Sequence, residues 1–84
     1  RAPRVVALHG DDDPFVPRDA VERWVAQMRA AGARWELHAY GGARHGFSNP
    51  AQALNANPAF GYDPAIAAAS WATMKAVLAD AFAE

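Results

Sequence analysis

Two loops carry the side chains of this sequence that could perform chemistry. The first contains three consecutive carboxylates, Asp11, Asp12 and Asp13, and the second contains His45. A histidine exchanges protons near neutral pH, and a carboxylate hydrogen-bonded to it can fix its tautomer and stabilise its protonated form. An aspartate from the first loop and His45 could therefore act together as the acid and the general base of one catalytic site.

Each of these loops follows a predicted strand. Residues 4–9 form a continuous apolar run typical of a strand covered on both faces, and residues 34–40 alternate between apolar and polar as in a more exposed strand. Between them, Val21, Trp24, Val25 and Met28 recur at helical spacing, and Gly32 predicts the end of a helix over 18–31. A strand, helix and strand in this order predict a βαβ unit with parallel strands.

The parallel pairing predicts that the two loops meet. The carboxyl ends of neighbouring parallel strands lie at the same edge of a sheet, which places the carboxylates and His45 about 5–10 Å apart. Each loop also has a simpler interpretation. The carboxylates suit solvated turn residues that favour the start of the next helix, and His45 could be an exposed loop residue.

The second half of the chain is predicted to be a long loop and a helix. Residues 43–62 show little periodicity, and loops of this length are usually functional or disordered. Asp63 and Pro64 are typical of a helix start, and apolar residues recur at steps of three and four over about 64–82: Trp71, Met74, Leu78 and Phe82.

Composition excludes several classes of protein. The net charge of −1, without a basic stripe, argues against nucleic-acid binding, and no apolar run approaches the length that spans a membrane. The absence of cysteine excludes disulfides and a thiol nucleophile within these residues. No secretory or transit peptide is visible, and we expect a cytoplasmic location, although nothing in the sequence fixes the compartment.

The number of large apolar side chains is small for a free-standing domain. Hydrophobic residues make up 52% of the 84 residues, but 22 of them are alanine. Two parallel strands are also too few for a stable sheet of that type, which is normally larger and covered on both faces. We therefore predict the β-α-β-α portion of a larger α/β domain, incomplete by itself.

The motifs in these segments resemble those of the dienelactone hydrolase family of the α/β-hydrolase superfamily. The acid loop (residues 10–17) resembles Gly-x-x-Asp-x-x-Val-Pro, and the histidine loop (residues 41–50) resembles Gly-Gly-x-x-His-x-Phe. Further runs resemble the carboxyl-terminal third of family members: Phe60-Gly61-Tyr62-Asp63 and Ser70-Trp71-x-x-Met74-Lys75. An acid followed by a histidine is also the tail of the order nucleophile, acid, histidine that is typical of the superfamily.

This resemblance implies a function. It assigns Asp13 as the orienting acid and His45 as the general base of a catalytic triad that cleaves an ester, thioester or lactone through an acyl-enzyme. Arg44, Phe47 and Asn49 are candidate substrate contacts, and no metal or organic cofactor is implied. A cysteine or serine nucleophile would lie in an upstream part of the same domain, so the 84 residues alone should be inactive.

Three alternatives remain open. A serine peptidase or acyl esterase of the same superfamily would share both loops. A metal-binding module could use His9, one or more of Asp11 to Asp13, and His45. A non-catalytic interaction unit could associate with itself through the exposed edge of its sheet.

Overall fold

The structure, a computed structural model, describes residues 4–83, which form two strands and two main helices. Strand β1 spans Arg4–Gly10, helix α1 spans Arg18–Ala30, strand β2 spans Arg34–Tyr40 and helix α2 spans Pro64–Ala83. The strands pair in parallel, with Arg4 opposite Arg34 and Gly10 opposite Tyr40. This order and pairing confirm the predicted βαβ unit.

The two helices lie on opposite faces of the sheet. On one face, Trp24 of α1 meets Trp35 of β2 edge to face, with ring centroids 5.9 Å apart. On the other face, the Tyr40 hydroxyl of β2 lies 3.5 Å from the Thr73 hydroxyl of α2. The polar face of β2 is therefore partly covered by α2 and is less exposed than the alternating pattern predicts.

Arg4 connects three of these elements. From β1, its guanidinium donates a 2.6 Å hydrogen bond to Asp80 of α2 and a 3.3 Å hydrogen bond to Glu36 of β2. These two carboxylates, Asp80 foremost, hold the pKa of Arg4 above its usual range. The contacts attach the far end of α2 to the start of the sheet.

Few apolar side chains are buried in the described part of the chain. Within residues 4–83 the buried apolar side chains are Val21, Ala43 and Phe47, while Trp71 of α2 is 56% exposed and Phe82 is 86% exposed. The predicted apolar stripe of α2 therefore remains largely uncovered, and the second edge of β1 pairs with no strand among these residues. This is the architecture of an incomplete α/β domain, as the sequence predicts.

Helix α2 contains no long uninterrupted apolar run, but its average composition is apolar. The helix has 20 residues, and an 18-residue window within it has a mean hydropathy of 1.2, which is long and apolar enough to cross a membrane by length and composition alone. A single helix of this kind is weak evidence for a membrane span, because core helices of water-soluble proteins pass the same test.

The long loop after β2 contains more structure than its sequence predicts. A 3₁₀ helix spans Pro50–Leu54, and His45 forms an isolated parallel bridge with Phe60. The loop therefore folds back beside the end of β2 and positions His45.

We predict that Asp63 stabilises the start of α2. Its side chain accepts a 3.0 Å hydrogen bond from the Ile66 amide, so Asp63→Ala should lower the free energy of unfolding of the full-length protein by about 0.5–2 kcal/mol. Chemical denaturation measures this change. Asp12→Ala, at an exposed position, is the control. Equal unfolding midpoints for the two variants would show that the Asp63 side chain does not stabilise the start of α2.

Candidate active site

The acid loop and the histidine loop touch through their backbones at Gly10. This residue ends β1, and a Cβ placed on it would lie 2.6 Å from the Ala43 carbonyl oxygen, closer than such atoms approach. Beside this contact, the Asp12 amide donates a 2.9 Å hydrogen bond to the same Ala43 oxygen. Only glycine allows the two loops to come this close, and their hydrogen bond keeps them in register.

The Asp13 carboxylate lies at this junction with both oxygens in use. Oδ1 accepts a 2.9 Å hydrogen bond from the Phe15 amide, and Oδ2 lies 2.9 Å from Nδ1 of His45. The residue is only 9% exposed. A carboxylate oxygen accepts hydrogen bonds, so the Nδ1 atom facing it carries the proton in this arrangement.

His45 is held on its backbone side by the returning loop. Its amide donates a 3.1 Å hydrogen bond to the Ala59 carbonyl, and its carbonyl accepts a 3.3 Å hydrogen bond from the Gly61 amide. The next residue, Gly46, has a φ of 73°, a left-handed conformation that favours glycine. The turn at Gly46 directs the chain away from the imidazole.

His45 lies beside an open cavity. Within residues 4–83 Nε2 makes no hydrogen bond, and His45 lines a cavity of about 840 Å³ together with Asp13, Arg44, Ser70 and Trp71. When Nδ1 carries its proton towards Asp13, the neutral imidazole has a lone pair on Nε2 that is free to accept a proton. The arrangement can remove a proton from a group bound in the cavity and later return it.

The remaining carboxylates of the acid loop point elsewhere. Asp11 pairs with Arg18 at 2.5 Å, and Asp12 is exposed. The structure therefore brings Asp13, and neither of its two neighbours, to His45. Within the part of the chain that the structure describes, no group of three or more histidine, aspartate or glutamate side chains could hold a metal ion.

The three candidate substrate contacts differ in their placement. Arg44 lines the cavity, and its guanidinium donates a 3.2 Å hydrogen bond to the Pro58 carbonyl. Phe47 also lines the cavity but is buried against the ring of Tyr40. Asn49 is not among the cavity-lining residues, and its side chain accepts a hydrogen bond from the Ala51 amide at the start of the 3₁₀ helix.

Two aromatic residues contact His45 and were not predicted to do so. The rings of Phe15 and Phe60 lie 5.1 and 5.0 Å from the imidazole, both nearly perpendicular to it. The sequence gives a partial signal for Phe15, because an aspartate side chain often accepts a hydrogen bond from the amide two residues on. It gives none for Phe60, which lies 15 residues beyond His45.

Known proteins are similar to this chain in sequence and in fold. The profile of the dienelactone hydrolase family matches residues 2–82. An uncharacterized protein of Caenorhabditis elegans is 33% identical over 75 residues, which cover 89% of this chain and 48% of that protein.

A solved structure is also similar. It is that of a dienelactone hydrolase-like promiscuous phosphotriesterase from metagenomic libraries, with a TM-score of 0.85 and 27% identity over 92% of this chain. The match covers 32% of the phosphotriesterase chain. The present chain thus spans about half of one relative and a third of the other.

We predict that replacing Gly10 by alanine destabilises the protein. The added methyl group would overlap Ala43, so Gly10→Ala should destabilise the full-length protein by about 1–3 kcal/mol. Gly41→Ala is the matched control, because a Cβ there meets nothing within 4 Å. Thermal or chemical unfolding compares the two variants, and similar stabilities would contradict the close contact.

Proposed function

Since this chain belongs to the dienelactone hydrolase family, we propose that it supplies the acid and the general base of a hydrolase active site. Asp13 is the acid and His45 is the base. The observation that carries the proposal is the 2.9 Å contact between Asp13 Oδ2 and His45 Nδ1, beside a cavity that both residues line. A paired carboxylate and imidazole are the two proton-handling parts of a catalytic triad.

The proposed reaction uses His45 twice. Nε2 takes the proton from a hydroxyl or thiol nucleophile as that group attacks the substrate carbonyl, and Asp13 stabilises the resulting imidazolium. When the bond to the leaving group breaks, Nε2 returns the proton to the leaving oxygen or sulfur, which leaves an acyl-enzyme. Water then attacks the acyl group while Nε2 takes one of its protons. The bond between the acyl group and the nucleophile breaks, Nε2 returns the proton to the nucleophile, and the acid product leaves.

The nucleophile is proposed to lie in another part of the full-length protein. The chain has no cysteine, and its serines are Ser48 and Ser70. Ser70 is buried in α2 and donates to the Ala67 carbonyl, and Ser48 lies in the turn after His45. Neither stands on the strand-to-helix turn that exposes a hydrolase nucleophile, so the 84 residues alone should be inactive.

The proposed substrate is a small ester, thioester or lactone. The cavity beside His45 is large enough for a small molecule and combines apolar walls with the guanidinium of Arg44. Phosphotriesters are a second substrate class to assay, because the similar solved structure is that of a promiscuous phosphotriesterase. Phe47, buried against Tyr40, would shape the cavity wall.

We predict that removing either proton-handling group abolishes most of the activity. In the full-length protein, Asp13→Asn and His45→Ala should each lower kcat for an aryl ester by roughly 10²–10⁴-fold while the protein stays folded. Asp12→Asn is the matched control, since this carboxylate is exposed and Asp13 is the one that faces His45.

Circular dichroism of each variant separates loss of catalysis from loss of folding. Wild-type turnover in folded Asp13→Asn or His45→Ala protein would contradict the proposed roles. Absence of activity in the wild-type protein towards esters, thioesters, lactones and phosphotriesters would favour a non-catalytic unit instead.

We further predict that Arg44 favours substrates with a negative charge. Arg44→Ala should raise KM about 10-fold for an ester that carries a free carboxylate, and hardly change KM for its neutral methyl ester. Gly61→Ala should have a smaller effect in the same direction, because a Cβ at Gly61 would displace the guanidinium that lies against it.

Arg23→Ala, which removes an exposed arginine paired with Asp19 on α1, is the control. An equal change in KM for the charged and the neutral ester would assign Arg44 a structural role alone.

A further inference from the structure

Two phenyl rings contact the imidazole of His45 on the same side. Phe15 lies 5.1 Å from it at an interplanar angle of 75°, and Phe60 lies 5.0 Å from it at 89°. The two phenyl rings also contact each other, with centroids 5.4 Å apart. The three rings form a single cluster, which we call the aromatic clamp and define as Phe15, His45 and Phe60.

Backbone contacts to the catalytic pair position each phenyl ring. The Phe15 amide donates to Oδ1 of Asp13, the same carboxylate whose other oxygen faces His45. Phe60 sits opposite His45 in a parallel bridge, flanked by the hydrogen bonds of Ala59 and Gly61 to the His45 backbone. The clamp is therefore attached to both members of the pair and to the returning loop.

Phe15 is anchored to the site by its ring contacts. The residue is 57% exposed within residues 4–83, and the ring contacts described for it are those with His45 and Phe60. Its ring is held against the imidazole edge to face. This edge-to-face contact is the observation that points to a role of Phe15 at His45.

The hydrogen bond from Nδ1 fixes one atom of the imidazole but leaves its orientation weakly restrained. The χ2 torsion of histidine is broad and roughly two-fold, so a ring flip would turn a carbon towards Asp13 and take Nε2 out of its place. Phe15 and Phe60 lie on one side of the imidazole and nearly perpendicular to it, so the edge of a rotating imidazole would run into their rings.

We propose that Phe15 and Phe60 are positioning residues that hold the His45 imidazole with Nδ1 on Asp13 and Nε2 free to accept a proton. They touch no reacting atom and act through His45. The kinetic consequence rests on the proposed function, but the orientation of the ring can be measured without any substrate.

The first test is kinetic and uses the full-length protein. Phe15→Leu and Phe60→Leu keep an apolar side chain but remove the flat ring, and each should lower kcat about 10-fold with KM changed less than two-fold. Phe15→Tyr, which restores a ring at a half-exposed position, should recover most of kcat. Trp24→Leu is the matched control, because it breaks an edge-to-face pair that involves Trp35 and not His45.

The second test reads the imidazole directly by proton NMR. In the wild-type protein the hydrogen-bonded Nδ1 proton of His45 should give a resolved downfield signal, assigned by its loss in His45→Ala. The signal should broaden or vanish in both leucine variants, because the ring flips and water exchanges the proton. It should persist in Phe15→Tyr and Trp24→Leu.

The outcomes separate this proposal from the proposed function. A sharp Nδ1 signal and wild-type kcat in folded Phe15→Leu and Phe60→Leu would overturn the clamp, while leaving Asp13 and His45 as assigned. Full activity in Asp13→Asn and His45→Ala would overturn the proposed function, yet loss of the Nδ1 signal in the leucine variants would still support the clamp. An equal loss of kcat in Trp24→Leu would show that the effect is one of general stability, and would overturn the positioning role.

Discussion

The candidate site depends on one backbone contact between two loops that are distant in sequence. Gly10 comes so close to Ala43 that no side chain fits between them, and the Asp12 amide is hydrogen-bonded to the Ala43 carbonyl. Parallel pairing of β1 and β2 brings the loops to the same edge of the sheet, and this contact joins them there. In this arrangement Asp13 Oδ2 lies 2.9 Å from His45 Nδ1.

The parts of this arrangement that follow from local sequence patterns could be predicted. The apolar run of β1, the alternation of β2 and the helical spacing between them specify a parallel pair, and a parallel pair implies that its two following loops meet. The choice of Asp13 among three adjacent carboxylates needed the resemblance to known motifs, because the residues alone do not distinguish them. In the structure, Asp11 is engaged by Arg18 and Asp12 faces solvent, which leaves Asp13 beside His45.

Other features could not be predicted because they arise from long-range contacts. Phe60 reaches His45 through a bridge that closes a 15-residue loop with little periodicity, and such a loop carries no pattern that specifies its return. The spacing of apolar residues in α2 predicts a helix, which the structure confirms, yet Trp71 and Phe82 remain exposed. A periodic pattern indicates that a face will be covered, but not that the covering strands lie within the same 84 residues.

The central claim is that Asp13 and His45 act as one unit, and a double-mutant cycle in the full-length protein tests it most directly. Residues that act as a unit are strongly non-additive in their kinetic effects. If Asp13 works only through His45, the variant that carries both Asp13→Asn and His45→Ala should be about as slow as His45→Ala alone. A double variant slowed by the product of the two single effects would show that the residues act independently, and would contradict this account of the site.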